Sequence, residues 1–280
     1  MTTSKYAQIS QLAVSFAAPQ VLLVEFNKPH KINAVDAKTW RDYARIFAIA
    51  STDPDVNAIV VAGQGERGFC AGLDLKDTEG FNEISGQATE PSRKAIKSRA
   101  HIREFQEAIK SAYDCPKPVI GVAHGISIGL AMDILTNVDI RLAAADTKFS
   151  VREIAIGMAA DIGTLQQLPR LVGSHSWVRE IVFTGRFFGA DEALKQGLVS
   201  YVYPTAAAAK EAAIKLATQL AQYSPVGLQG AKESLNYAAE HTLEDGLKQI
   251  AAYNSFALQT DFYEGISATL EKRKARYEKL

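Results

Sequence analysis

Short runs of mostly apolar residues recur through the first half of the chain. Residues 21–26, 57–62 and 119–123 are apolar almost throughout, which is typical of strands buried on both faces of a sheet. Residues 138–143 indicate a further strand. Because stretches of helical character separate these runs, the pattern predicts an α/β fold with a largely parallel sheet.

The first helix is predicted between the first two apolar runs. The turn at residues 27–30 ends the first strand, and either Asn33 or Asp36 is suited to cap the helix that follows. The helix is expected to run to about Ala50. Its apolar face carries Trp40, Ala44 and Phe47.

The last quarter of the chain is helical in character and has few strand signals. We therefore divide the chain into a core at residues 1–204 and a helical C-terminal region at residues 205–280. Within this region a stripe of apolar residues follows helical spacing, and we interpret it as core or subunit contact. The stripe consists of Leu243, Leu247, Ile250 and Ala251.

Residues 77–99 differ from both parts of the chain. They contain Gly80, Gly86 and Pro91 among many polar side chains. This composition predicts a mobile surface insertion.

Composition and charge exclude several classes of protein. Apolar residues make up 47% of the chain, and 31 basic residues balance 31 acidic ones, so there is no general attraction to nucleic acid or to anionic membranes. The sequence contains no uninterrupted apolar run long enough for a membrane span. Cys70 and Cys115 are the only cysteines, which is no disulfide framework and favours a reducing compartment.

Three acidic residues are the strongest candidates for chemistry. Asp133, Glu153 and Asp161 each lie among apolar and small residues, where an ionised carboxylate must be paired, hydrogen-bonded or protonated. No histidine or cysteine lies among them, so the set indicates proton transfer rather than metal binding or nucleophilic attack.

Each of these acids also has an ordinary structural alternative. Asp133 can be a helix residue that is bonded to neighbouring backbone. Glu153 can form an ion pair with Arg152, and Asp161 can cap a helix that begins one or two residues later.

Two glycine-rich turns are candidates for binding a ligand through the backbone. Residues 63–68 match the G-x-G-x-x-G dinucleotide pattern, but Gly72 follows too closely for the required helix, so we reject a nucleotide site. Residues 68–74 and 124–130 can each leave a backbone N–H free, and two such donors would form an oxyanion hole.

Other residues with reactive side chains have ordinary explanations. His124 follows a buried strand and is interpreted as a packed structural residue, and Cys70 as a small buried one. We find no hydrolase triad, and no histidine or cysteine pair has the spacing of metal ligands.

Several motifs, in order along the chain, resemble the crotonase or enoyl-CoA hydratase/isomerase superfamily. The matching stretches are residues 27–35, 68–74, 123–139, 149–170, 183–186 and 191–199. The resemblance implies a crotonase-type spiral of ββα units with a helical C-terminal oligomerisation region. It also implies an acyl-CoA thioester substrate and a homotrimer or homohexamer.

The resemblance assigns backbone and substrate contacts by motif position. The thioester carbonyl would bind the N–H groups of Leu73 and Leu130, although this chain has Gly129-Leu130-Ala131 where the family usually has three glycines. Further contacts with the substrate or its CoA would come from Lys31, Ala71, Gly72, Asp74, Lys76 and Ala131. No metal and no cofactor is implied beyond the CoA of the substrate.

The three acids most resemble those of the Δ3,5-Δ2,4-dienoyl-CoA isomerase subfamily, which has Asp, Glu and Asp at these places. By that resemblance Asp161 is the base near C2, Glu153 the acid near C6, and Asp133 orients or tunes the pair. The alternatives are an enoyl-CoA hydratase, which typically has glycine in place of Asp161, and a Δ3,Δ2-enoyl-CoA isomerase. A non-catalytic structural or RNA-associating member of the fold is the alternative outside enzymology.

The final residues, Glu278, Lys279 and Leu280, resemble the Ser-Lys-Leu peroxisomal signal with its first position altered. The alternative is the end of a charged helix. The sequence thus favours a peroxisomal location, with mitochondrial and cytosolic locations as the alternatives.

Overall fold

The computed structural model describes residues 3–77 and 90–280. Its main sheet has six strands, of which the first two are antiparallel and the rest run parallel. In spatial order these are β1 (Leu12–Ala18), β2 (Val21–Phe26), β3 (Ala58–Gly63), β4 (Val119–Ala123), β6 (Ile140–Ala144) and β9 (Tyr201–Tyr203). A second sheet contains β5 (Ile126–Ile128), β7 (Lys148–Ser150) and β8 (Phe188–Gly189).

Helices connect and cover these strands. In the core they are α1 (Ala37–Thr52), α2 (Pro91–Asp114), α3 (Leu130–Thr136), α4 (Thr164–Leu171), α5 (His175–Thr184) and α6 (Ala190–Lys195). Toward the C-terminus follow α7 (Ala206–Leu220), α8 (Pro225–Ala238), α9 (Leu243–Ala257) and α10 (Thr260–Leu270). Short 3₁₀ helices occupy Ser4–Tyr6, Pro29–Lys31 and Glu153–Ile156.

The first helix forms as predicted, and Asp36 is its cap. The Asp36 side chain accepts a hydrogen bond from the Thr39 N–H, which satisfies one of the unpaired donors of the first turn. Asn33 has a different role. Its side chain donates to the carbonyl oxygens of Gln64 and Gly68 and so holds the glycine-rich turn after β3.

The two faces of the main sheet are covered differently. Most of the large buried side chains, including Phe26, Tyr43 and Phe47, form a core on one face. On the other face α7 places Ala209, Ala213 and Ala217 against the sheet. These alanines recur every fourth residue, so they lie on one side of the helix and allow close approach. The boundary between residues 204 and 205 stays a prediction.

The four predicted strands are confirmed, whereas β1, β5, β7, β8 and β9 were not predicted and one helix differs from expectation. β1 has no continuous apolar run, because it lies at the edge of the sheet and only Leu12 is fully buried. The interpretation of residues 77–99 as a mobile insertion is wrong for its last part, since α2 begins at Pro91 and is capped by Glu90. Residues 78–89 lie outside the described residues.

The fold brings the two glycine-rich turns to one edge of the sheet. β3 and β4 are parallel neighbours, so the chain leaves both strands at the same edge. The rejected dinucleotide pattern lies in the first of these turns, and no helix begins between residues 64 and 77. The second turn leads through β5 into α3.

Candidate active site

A cavity of about 440 Å³ lies where these turns meet the segments that carry the three acids. Its wall includes all three predicted catalytic side chains. The lining residues are Ala71, Gly72, Leu73, Leu75, His101, Ile102, Phe105, Ile128, Gly129, Leu130, Asp133, Arg152, Glu153, Ile156, Met158, Asp161 and Ile162. An apolar cavity with a few converging polar groups is the usual form of a small-molecule site.

Backbone hydrogen bonds hold the two glycine-rich turns side by side. The N–H of Phe69 donates to the carbonyl of His124 at 2.8 Å, and Cys70 exchanges bonds of 3.1 Å with Ile126 and Ile128. The second turn is therefore fixed relative to the first, and their remaining N–H groups keep a constant separation.

Two backbone donors in these turns have no acceptor among the described residues. Val35 bonds to the carbonyl of Gly72 and the N–H of Asp74, so the N–H of Leu73 points away from Val35. Leu130 is the first residue of α3 and has no intrahelical acceptor. A Cβ atom on Gly72 would lie only 3.5 Å from the Leu130 nitrogen, which shows how close the two turns are here.

Asp133 is the most deeply buried of the three acids. Its side chain is 1% exposed, and its Oδ1 accepts bonds of 2.7 Å from both the N–H and the hydroxyl of Thr164. Burial, together with the negative charge of Glu153, raises the pKa of Asp133 to about 7, although the two Thr164 bonds act in the opposite direction. The alternative of a bond to backbone is correct in part, but the donor belongs to α4.

Glu153 is the first residue of the short 3₁₀ helix Glu153–Ile156, and its side chain lines the cavity. Burial raises its pKa, and its Oε2 atom is buried without a hydrogen-bond partner among the described residues. A Cβ on Gly129 would lie 3.2 Å from Oε1 of Glu153. The alternative of an ion pair with Arg152 is wrong, because that guanidinium bonds to the Gly185 carbonyl and lies over the ring of Phe187.

Asp161 lies on the segment before α4 and is only partly buried. Burial raises its pKa above the ordinary value. Gln106 of α2 donates from Nε2 to the main-chain carbonyl of Asp161 at 2.6 Å and so fixes this segment. The capping alternative for Asp161 is wrong, since α4 begins at Thr164 and the N–H of Thr164 bonds to Asp133.

The residues predicted to contact the substrate divide into two groups. Ala71 and Gly72 line the cavity, whereas Ala131 is buried in the core and is not part of the wall. Lys31 forms an ion pair with Asp74 at 2.7 Å. The backbone N–H of Lys76 bonds to the same Asp74 carboxylate at 3.1 Å, so Lys31, Asp74 and Lys76 lie together outside the cavity wall.

Cys70 and His124 have the structural roles expected of them. Burial raises the pKa of the Cys70 thiol to about 12, which leaves it protonated, and its sulfur accepts the Gly72 N–H. His124 is buried and its Nε2 contacts the Gly65 carbonyl at 2.9 Å.

Several residues of the site were not found from the sequence. His101, Ile102 and Phe105 come from α2, whose N-terminal part was interpreted as a polar insertion. The available signal was the apolar spacing of Ile102 and Phe105, which is helical. Thr164 and Gln106 were missed because their partners are distant in sequence.

Residues 3–77 and 90–280 contain no cluster of three or more His, Cys, Asp or Glu side chains that could hold a metal ion. In the same part of the chain, every helix is too short or too polar to cross a membrane. The expected absence of a cofactor stays a prediction.

Comparison with known proteins agrees with the fold. The family model described as enoyl-CoA hydratase/isomerase matches residues 17–279. Human mitochondrial Δ(3,5)-Δ(2,4)-dienoyl-CoA isomerase is 38% identical over 266 residues, which cover 95% of this chain and 80% of the human protein. The peroxisomal protein of the same name from Arabidopsis thaliana is 33% identical, with 91% of each chain covered.

Among solved structures, the enoyl-CoA hydratase of Bacillus anthracis is 28% identical and superposes with a TM-score of 0.83, covering 96% of this chain and 99% of the hydratase. The predicted crotonase-type fold is thereby confirmed. A family model that spans nearly the whole sequence, together with these relatives, shows that the chain belongs to the enoyl-CoA hydratase/isomerase family.

Proposed function

We propose that this protein converts 3,5-dienoyl-CoA into 2,4-dienoyl-CoA. The observation that carries the proposal is that Asp133, Glu153 and Asp161 line one cavity with two backbone N–H groups that have no acceptor among residues 3–77 and 90–280. The names of the relatives with 33–38% identity support it. A hydratase is less well supported, because the hydratase structure is only 28% identical.

The proposed reaction requires two proton transfers at distant carbons. The ionised Asp161 removes a proton from C2, and the electrons move into a conjugated dienolate. The dienolate oxygen accepts hydrogen bonds from the backbone N–H groups of Leu73 and Leu130. Glu153 then donates its proton to C6 while the thioester carbonyl re-forms and the double bonds settle at C2 and C4. The reaction leaves Asp161 protonated and Glu153 ionised, so a proton must pass back between them before the next turnover.

The electrostatics of the cavity suit these roles. Burial raises the pKa of Glu153, which favours the protonated form that an acid needs. The pKa of Asp161 is also raised, which makes it a stronger base than an exposed aspartate. Each backbone donor to the dienolate oxygen is worth roughly 10²–10³ in rate.

The chemistry needs no electron acceptor and no group donor, so we propose that the CoA of the substrate is the only coenzyme involved. Its phosphates need cations, and Lys31 and Lys76 lie beside the turn that contains Leu73. The human relative is named mitochondrial and the Arabidopsis relative peroxisomal, so the organelle of this protein stays a prediction.

The direct test is turnover of 3,5-octadienoyl-CoA, followed by the absorbance of the conjugated 2,4-dienoyl product. We expect rapid conversion by the wild type and a loss of roughly 10²–10⁴ in kcat for Asp161→Asn, because the base is removed. Asp191→Asn is the matched control, since Asp191 is an exposed residue of α6. Hydration of a 2-enoyl-CoA without isomerisation of the dienoyl substrate would contradict the proposal and favour a hydratase.

A further inference from the structure

We propose that Thr164 is a positioning residue that decides which member of the Asp133–Glu153 pair carries the proton. The inference rests on the proposed function, in which Glu153 must hold a proton when the substrate arrives. Thr164 is not part of the cavity wall, and its hydroxyl contacts the Asp133 carboxylate, so we expect it to act on the reaction through Asp133.

The first step of the argument is the geometry at Asp133. Thr164 is buried and is the first residue of α4, where its backbone N–H has no intrahelical acceptor. Both this N–H and the hydroxyl donate to the same oxygen, Oδ1 of Asp133, at 2.7 Å each. Hydrogen bonds to a charged acceptor are stronger than those to a neutral one, so the pair of donors stabilises the ionised form of Asp133.

Glu153 is in the opposite situation. Its buried Oε2 atom receives no hydrogen bond from the described residues, and burial raises the pKa of the carboxyl although the neighbouring backbone N–H groups of Arg152 and Glu153 act in the opposite direction. One proton shared between the two acids is therefore better placed on Glu153. Burial is the main cause of the raised pKa of Asp133 and remains in either case, whereas the second cause, the charge of Glu153, disappears once Glu153 is neutral.

Other charged or titratable groups also face this pair. Asp161 comes from the segment before α4, Arg152 from the residue before the 3₁₀ helix and His101 from α2, and all three line the same cavity. The negative charge of Asp161 raises the pKa of both Glu153 and Asp133, so it favours a proton on the pair without choosing between the two acids. A substitution at Thr164 leaves these groups unchanged, so its effect can be assigned to the lost donor.

Without the hydroxyl of Thr164, the proton is expected to move to Asp133. Glu153 would then be ionised and could not protonate C6. Because a donor that favours the ionised form has been removed, the pair as a whole would also hold its last proton to higher pH. A lower plateau in kcat together with an alkaline limb at higher pH is thus the signature of this role.

The experiment compares Thr164→Val with Thr164→Ser in the pH profile of kcat on 3,5-octadienoyl-CoA. Valine keeps the shape and the backbone N–H but removes the hydroxyl, whereas serine keeps the hydroxyl. We expect a roughly 10- to 100-fold lower plateau for Thr164→Val, the range for one hydrogen bond to a charged group, with the alkaline limb moved upward. Thr164→Ser should stay close to the wild type, and KM should change little in both.

A second readout does not depend on turnover. Infrared titration of protein labelled with ¹³C-aspartate separates aspartic from glutamic acid bands, and Asp133→Asn identifies the band of Asp133. At the same pH, Asp133 should be ionised in the wild type and protonated in Thr164→Val. Thr164→Ala is a second variant without the hydroxyl, to be used in place of valine if the valine protein does not fold.

Three results separate the two proposals. Wild-type kinetics in Thr164→Val, or an equal loss in Thr164→Ser, would overturn the role of Thr164 while leaving the isomerase proposal intact. An unchanged infrared titration in both hydroxyl-free variants would overturn it as well. Failure of the wild type to isomerise the dienoyl substrate would instead overturn the proposed function, and the titration would still decide where the proton lies.

Discussion

The carboxyl group of Asp133 binds its proton more tightly in the folded chain than in the unfolded chain. Its pKa rises from 3.8 to about 7, with burial as the main cause and the charge of Glu153 as the second. Between these two values the folded state holds more protons, so the free energy of unfolding falls as the pH rises. The full shift corresponds to about 4 kcal/mol, which is an upper limit on what ionisation of Asp133 costs.

We expect Asp133→Asn to stabilise the protein at about pH 8 by about 2 kcal/mol and to have much less effect at about pH 5. Asparagine can still accept both bonds from Thr164, and it removes a buried charge beside Glu153. Urea unfolding at the two pH values measures the difference. Asp191→Asn serves as the exposed control, and a variant that is less stable than the wild type at the higher pH would contradict the argument.

At the scale of single residues, the sequence identified the acids better than the groups that support them. Asp133 was conspicuous because an ionised carboxylate within an apolar helix is costly to bury, so such a residue often has a functional role. Thr164 carries no such signal, since threonine is ordinary near the start of a helix, and it lies 31 positions from Asp133. A contact of this kind is formed only when the fold brings α4 to α3.

At the scale of elements, the two turns depend on glycines that a side chain would disturb. Gly72 has a φ of +91°, and a Cβ there would lie 3.0 Å from the Ile128 carbonyl and 3.5 Å from the Leu130 nitrogen. Gly197, in the turn after α6, has a φ of +81° and no atom within 4 Å of the same position. A side chain at either position would strain the backbone, but only a side chain at position 72 would also lie beside the proposed oxyanion hole.

We therefore expect Gly197→Ala to lose about 1–2 kcal/mol of stability because it places a side chain at positive φ, and Gly72→Ala to lose more because its Cβ would also lie 3.0 Å from the Ile128 carbonyl. Only Gly72→Ala should also lose activity, by roughly 10²–10³ in kcat, since its Cβ would lie beside the Leu130 N–H and would force the Ile128 carbonyl of the second turn to shift. Thermal unfolding and turnover of 3,5-octadienoyl-CoA give the two quantities. Full activity in Gly72→Ala would place the carbonyl-binding donors elsewhere.

Elements with a strong apolar pattern were predicted correctly, and those without one were not. β2, β3 and β4 are buried on both faces and read as continuous apolar runs. β1 lies at the sheet edge with alternating exposure, and the first turns of α2 are mostly exposed, so neither buries enough surface to leave a clear pattern. The wall that α2 contributes to the cavity was missed for the same reason.

At the scale of the whole molecule, the C-terminal helices leave large apolar side chains uncovered in a single chain. α9 buries none of its residues, and both Leu243 and Phe256 are 81% exposed. Nearby helices also expose Leu235 and Leu270. Large apolar side chains exposed in such number are typical of an interaction surface. The sequence pattern located the stripe but could not decide between core and subunit contact, because periodicity reports that a face is apolar and not what covers it.

In the predicted trimer or hexamer, a second copy of the chain would cover this surface. We expect the double variant Leu243→Glu/Leu247→Glu to be monomeric at micromolar concentration where the wild type is an oligomer, because two charges would be buried without partners at the contact. Light scattering after size-exclusion chromatography measures the mass of each species. Lys248→Glu is the control on the same helix, since it alters charge and removes no apolar surface. A monomeric wild type, or a double variant that stays assembled, would place the subunit contact away from α9.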